Sequence, residues 1–279
     1  MRVCESALLT RYLIKLAIFA PIAALAAIHP ASAETLRIGG TGSATEMLRQ
    51  IGPAFEAATG VALHVVPSLG TSGGNAAVAD GVLDASVAGR DLKPEEVARG
   101  LVVAATLRTP FGFVTSRQAA ENLASGEIAG LYRSARPLWP DGTPIRLILR
   151  PTEESDNAVL GALFPGMSAA LKQARTRGDL SLAATDQDNA EMAERIAGSL
   201  VGASFTQMTT EKRKLRFVSI DGVLPSLTSY ENGSYPYGKS LYIVVPAKIG
   251  AEAAAFVSFI ATPEGKGLLR QAGIVAGTQ

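Results

Sequence analysis

The sequence predicts an α/β fold of two lobes, each a mostly parallel sheet flanked by helices. Three observations lead there. Strands and helices alternate over the first half of the chain, turns rich in Gly, Ser and Thr follow successive strands, and an apolar stretch at 101–115, interrupted by Pro110, reads as a crossing into a second lobe. Thr35-Leu36-Arg37-Ile38-Gly39-Gly40 reads as a strand, and the spacing of Met47, Leu48, Ile51, Phe55 and Ala58 predicts a helix over 44–59 that stops at Gly60. Val61 to Pro67 is the next strand, Gly70-Thr71-Ser72-Gly73-Gly74 a turn, Asn75 to Gly81 a short helix, and Leu83 to Ala88 a third strand. In open sheets of this kind, ligands settle at the carboxyl ends of the strands.

Beyond the crossing, 145–150 predicts a strand, about 156–175 a helix, 186–200 a further helix, 201–206 and 215–220 strands, and 241–246 a strongly apolar strand. Two helices close the chain, over about 251–261 and from Pro263, a good first-turn residue, to Gln271. The expected organisation is a first lobe over 34–110, a second over 111–224, and a return segment of the first over 225–279.

The N-terminus carries Arg2, Arg11 and Lys15, then an apolar run from about Leu13 to Ile28 and the small residues Ala31-Ser32-Ala33. That pattern predicts a secretory signal peptide cleaved between Ala33 and Glu34, hence an exported, soluble protein. The single cysteine, Cys4, precedes the apolar run, so the mature chain has no thiol and must be held by its own core, for which roughly 245 residues suffice. With Arg2, Arg11, Lys15 and Glu5 removed, 26 basic residues become 23 and 25 acidic become 24. A surface so near neutrality argues against nucleic acid as a partner. Of two histidines only His64 remains, in a strand-like segment, which excludes a structural zinc site and a Cys-His pair.

Four segments could carry chemistry. Gly40-Thr41-Gly42-Ser43-Ala44 offers two hydroxyls and the amides of a helix start to an anion, with Gly42 allowing close backbone approach; alternatively Ser43 only caps the helix. In Gly70-Thr71-Ser72-Gly73-Gly74, Ser72 and Gly73 fit an anion-binding nest, and the lysine of a nucleotide-binding loop is missing. In Arg150-Pro151-Thr152-Glu153-Glu154-Ser155-Asp156-Asn157 an arginine ends a strand and a helix begins, so Arg150 offers a planar fork to an oxyanion, or pairs with Glu153 or Glu154. In Gly89-Arg90-Asp91, Arg90 is a second candidate cation and Asp91 a proton acceptor, or the two form a surface pair.

In the order and content of these segments the chain resembles the periplasmic phosphate-binding proteins of ABC phosphate transporters, a family of type II two-lobed substrate-binding proteins. The resemblance covers most of the mature chain and is most specific at Gly40 to Ser43, at Ser72-Gly73-Gly74, at Arg150 to Asn157, and in the tail from Ser219 through Tyr235-Pro236-Tyr237 to Val244. It implies a ligand cleft between the lobes, with Thr41, Gly42, Ser43, Ser72 and Gly73 donating from one side and Arg150, Ser155, Asp156 and Asn157 from the other. Two departures stand out: Gly89-Arg90 where many relatives have Ser-Asp, and Ser155-Asp156-Asn157 in place of Ser-Gly-Thr. An aspartate at 156 repels an anion, so either it accepts a proton from the ligand or the ligand is not phosphate.

The resemblance thus implies a monomeric binding protein with no cofactor and no catalytic step, delivering inorganic phosphate to an ABC permease in the inner membrane. Molybdate, tungstate or sulfate as ligand, and a two-lobed sensor or scaffold without transport, are the alternatives.

Overall fold

The computed structural model describes residues 34–276. The signal peptide expected over 1–33 lies outside the described residues, and among these no helix is long and apolar enough to cross a membrane. The chain opens with β1 (Thr35–Gly40), α1 (Thr45–Thr59), β2 (Ala62–Val66), α2 (Gly70–Ala79) and β3 (Ala85–Ala88), and β1 pairs in parallel with both β2 and β3. After α3 (Pro94–Ala98) comes the fifteen-residue strand β4 (Leu101–Thr115). Next are β5 (Asn122–Leu123), α4 (Ile128–Arg133), β6 (Arg146–Leu149), α5 (Ser155–Leu163), α6 (Met167–Ala174), β7 (Ser181–Leu182), α7 (Asp186–Arg195) and β8 (Ser199–Ser204). The remainder is α8 (Phe205–Glu211), β9 (Arg216–Phe217), β10 (Ser219–Ile220), α9 (Leu227–Glu231), β11 (Gly238–Pro246), α10 (Ala251–Ala261), α11 (Pro263–Gln271) and β12 (Val275–Ala276).

The sheet runs β2-β1-β3-β11-β4-β8-β6-β7, with β9 and β12 also pairing to β4 and a separate β5–β10 pair. Its two ends are parallel, as expected, but the middle is antiparallel, where β11 lies between β3 and β4 and β4 meets β8. Period-two alternation distributes the apolar side chains over both faces. On β11, Leu241, Ile243 and Val245 join Met47, Ile51, Phe55 and Phe256 in one core, while Val244 turns to a smaller cluster with Val78 and Leu83. On β4, Phe111 and Phe113 pack with Tyr132, Trp139 and Phe164, while Val114 turns to Val201 and Ile148.

Three expectations need correcting. Pro110 does not interrupt the 101–115 stretch: β4 runs straight through it. Residues up to Pro110 pair with β11, and Phe111 onward pairs with β8, so the proline, which has no N–H to donate, marks a change of partner. The helix expected over 156–175 is two helices, because Pro165 cannot continue the first and Gly166, at φ 76°, turns the chain into the second. The glycine-rich segment 70–74 is already the first turns of α2, and the reversal is made by Ser68 and Gly70 at φ 62° and 64°. Gly74 faces β1, where a Cβ would meet Gly40 Cα at 2.7 Å.

That contact yields a paired prediction. Gly74→Ala should destabilise the fold by about 1–3 kcal/mol through overpacking of α2 on β1. Gly267→Ala, in α11 with open space around its would-be Cβ, should stabilise by up to ~1 kcal/mol, both read from urea unfolding.

Candidate functional site

At the carboxyl end of β1 the chain must turn sharply. Gly40 adopts φ 127°, where a Cβ would overlap the Val87 carbonyl oxygen at 2.2 Å, and the Thr41 N–H donates to that same oxygen at 2.8 Å. A single 3-10 turn over Gly42–Ala44 then leads into α1. The turn buries Thr41 and Ser43, whose hydroxyls lie 3.1 Å apart. No side-chain cap of α1 is made, so Ser43 is not a simple helix cap.

What these donors meet is a carboxylate from far along the chain. Ser43 N–H donates to Asp186 Oδ2 at 2.8 Å, and the Thr41 hydroxyl donates to the same oxygen at 3.3 Å. Asp186 is the first residue of α7, and its neighbour Gln187 donates from Nε2 to the Gly42 carbonyl at 2.9 Å. Gly42 is needed for this approach: a Cβ there would stand 2.5 Å from Gln187 Oε1 and 2.9 Å from Asp186 Oδ2.

Arg150 arrives from the other side, immediately after β6. It is only 7% exposed; Nη1 lies 3.2 Å from Asp186 Oδ1 and Nη2 lies 2.9 Å from Glu154 Oε2. Its Nε and Nη1 are buried and make no hydrogen bond. At the start of α5, Asp156 forms an ion pair with Lys239 of β11, a lysine only 2% exposed that also sits 5.9 Å from the centroid of the Phe111 ring. The site therefore holds two cations, Arg150 and Lys239, against three carboxylates, Glu154, Asp156 and Asp186.

Charge states follow from that arrangement. Burial opposes ionisation of Asp186, but Arg150, Lys239 and the bonds from Ser43 and Thr41 outweigh it and lower its pKa. Burial likewise works against charged Lys239, and Asp156 and Asp186 reverse the effect, raising its pKa. For Glu154, burial dominates and is reinforced by the nearby Asp186 and Asp156, so its pKa is raised despite Arg150.

Of the residues expected at the site, Thr41, Gly42, Ser43, Arg150 and Asp156 belong to this constellation. Ser155 lies beside it, its Oγ 2.6 Å from where a Gly89 Cβ would be. The others point elsewhere. Arg90 spends its fork on Glu96, with both contacts at 2.8 Å, and donates to the Asp91 carbonyl, not its side chain. Ser72 is exposed and accepts from Arg90 at 3.1 Å; it is the buried Thr71 whose hydroxyl accepts from Gly89 N–H at 2.9 Å. Gly73 lies in regular helix, not in a nest, and Asn157 donates to the carbonyls of Pro151 and Thr152, bracing the loop after β6. Among the described residues no group of three or more His, Cys, Asp or Glu could hold a metal ion.

Asp186 and Lys239 had no place in the sequence reading. Asp186 follows Thr185, which with Asp188 makes a capping box, and an acid in a first helical turn ordinarily complements the helix dipole. Lys239 left a fainter sign, a charge entering an otherwise apolar strand.

A family model described as a PBP superfamily domain matches residues 25–264. The chain belongs to the PBP superfamily. Solved structures of PBP-type proteins share its fold at low sequence identity. A putative phosphate ABC transporter substrate-binding protein with bound phosphate, from Clostridium perfringens, matches with TM-score 0.74 and 18% identity, over 88% of this chain and 100% of that one. An ABC-type phosphate transport receptor from Vibrio cholerae matches with TM-score 0.60 and 13% identity, over 88% and 100%. The periplasmic molybdate-binding protein of Azotobacter vinelandii matches with TM-score 0.58 and 13% identity, over 87% and 100%. A sequence comparison with curated proteins gives no match.

Two predictions follow from the charges of this PBP-superfamily chain, one at the site and one at the Arg90–Glu96 pair outside it. Lys239→Met strands Asp156 in the interior and should cost about 3–5 kcal/mol in urea unfolding, with much of the loss recovered in the Lys239→Met/Asp156→Leu double variant. The second concerns Glu96. Burial pushes it up, but Arg90, the Lys93 N–H and Asn75 together bring it from 4.5 to about 2. Its contribution is complete above pH 4.5 and is lost as the pH falls towards 2, so Glu96→Gln should flatten the stability profile over that interval.

Proposed function

We propose that this protein captures a tetrahedral oxyanion, phosphate first among them, in a cleft between two lobes and delivers it in the periplasm to an ABC import permease. The observation that carries the reading is the convergence of Thr41, Ser43 and Arg150 on one carboxylate. A hydroxyl, a backbone N–H at a turn into a helix, and a guanidinium are the donors an oxyanion requires in place of water. Arg150 in addition keeps its buried Nε without a hydrogen bond, and buried donors are rarely left so unless something else engages them.

The lobe division proposed is 34–110, 111–237 and 238–279, with the return crossing near Gly238 instead of at 225, where the sequence alone puts it. In support, Leu107 and Leu241 pack in one core, whereas Phe111, Tyr235 and Tyr237 pack in or against another. The likeness to proteins described as phosphate- and molybdate-binding supports an oxyanion as ligand. Closure of the lobes would bury the ion among fixed donors and present the closed form to the permease. We read the protein as a binder with no catalytic step: Ser43 faces Thr41, and His64 is exposed on β2. A sensor or scaffold role is the second reading, favoured by one specific observation, the carboxylate of Asp186 already engaging the donors.

Isothermal calorimetry of the chain from Glu34 onward, titrated with phosphate, molybdate, tungstate and sulfate, tests the assignment. Phosphate should bind, Arg150→Ala should weaken it by about 2–5 kcal/mol, and Thr41→Val by about 1 kcal/mol. Binding of another of these ions in place of phosphate reassigns the ligand, and silence towards all four transfers the case to the sensor or scaffold.

A further inference from the structure

The Asp186 carboxylate makes the contacts expected of a bound anion. One oxygen accepts from Ser43 N–H and the Thr41 hydroxyl, and the other faces Arg150 Nη1 at 3.2 Å. A carboxylate and a tetrahedral oxyanion present similar negative oxygens, so the two cannot share one set of donors. Electrostatics sharpens the conflict. Arg150 and Lys239 already face three carboxylates, and a dianion added to that set would raise an excess of one negative charge to an excess of three in a buried site. The attachment also bridges elements far apart in sequence: Thr41 and Ser43 follow β1, Asp186 opens α7, and Gln187 reinforces the contact through the Gly42 carbonyl.

We propose that Asp186 is a built-in competitor for the oxyanion seat, which clamps the turn after β1 to α7 and sets the affinity threshold an incoming anion must exceed. The inference rests on the oxyanion reading above. Two states follow from it: a clamped one, with the carboxylate on Thr41, Ser43 and Arg150, and a receptive one, with the carboxylate swung away and the donors free for a ligand. Only the receptive state binds, so apparent affinity is the intrinsic affinity scaled by the fraction of molecules in that state. Asp186 is thus a specificity-determining residue, since anions that engage the donors weakly never displace it.

The test pairs calorimetry with small-angle scattering on the chain from Glu34 onward, using wild type, Asp186→Ala, Asp186→Asn and Gly42→Ala. Removing the competitor should tighten phosphate binding at least tenfold in Asp186→Ala, with a smaller gain in Asp186→Asn, whose amide oxygen still accepts from Ser43 N–H. In scattering without ligand, wild type should be compact, and Asp186→Ala should have a larger radius of gyration that shrinks on adding phosphate. Gly42→Ala, which leaves every charge in place but puts a methyl group against Asp186 and Gln187, should likewise expand the ligand-free protein. If wild type binds phosphate and Asp186→Ala binds it equally or more weakly, the competitor is refuted while the oxyanion reading stands. If ligand-free wild type, Asp186→Ala and Gly42→Ala share one radius of gyration, whether compact or expanded, the clamp is refuted. If neither wild type nor any Asp186 variant binds phosphate, molybdate, tungstate or sulfate, the oxyanion reading itself falls, and the inference with it.

Discussion

Two cations, Arg150 and Lys239, are carried into the interior, and each must find a carboxylate there or make folding prohibitively costly. This requirement fixes the relation between segments that share no backbone hydrogen bonds at these points. Lys239 on β11 secures the start of α5 through Asp156, and Arg150 after β6 secures α7 through Asp186. The helix start at 156 is thereby tied to β11, and the helix start at 186 to the loop after β6, by charge as much as by apolar packing.

The same charges change the meaning of the residue at 156. Beside an anion an aspartate is repulsive, and on the sequence alone it means either a proton acceptor for the ligand or a ligand other than phosphate. Lys239 neutralises it from a strand more than eighty positions away, so it makes no unpaired negative charge. The electrostatic question moves to Asp186, which is paired to the donors themselves. Arg90, one candidate for compensating charge, is held by Glu96 and Ser72, so it serves the packing of α3 against α2.

Local patterns carried the fold well and the site only in part. The alternation of β1, α1, β2, α2 and β3, the two closing helices and the strand at 146–149 were legible because each depends on periodicity and caps within a dozen residues. Pro165-Gly166 was visible too, but its effect on the 156–175 helix was missed because the apolar spacing continues across it. For the site, Thr41, Ser43 and Arg150 could be named because a turn at a strand end has a local signature. Asp186 and Lys239 could not, since the contacts that define them span about 145 and 83 positions respectively. The glycine at 74 misled for a different reason: a small residue needed for helix-on-strand contact looks the same in sequence as one needed to reach an anion.

The continuity of β4 through Pro110 bears on how such a molecule can deform. Both passages between the two main cores, β4 outward and β11 inward, are hydrogen-bonded strands lying side by side, with Pro110 opposite Gly238. A ribbon of that kind resists bending as a loop would bend, but it yields to torsion about its length without breaking its ladder. Any rotation of one core against the other would then be an elastic coiling of one two-stranded band, with a restoring force that an unstructured tether would lack.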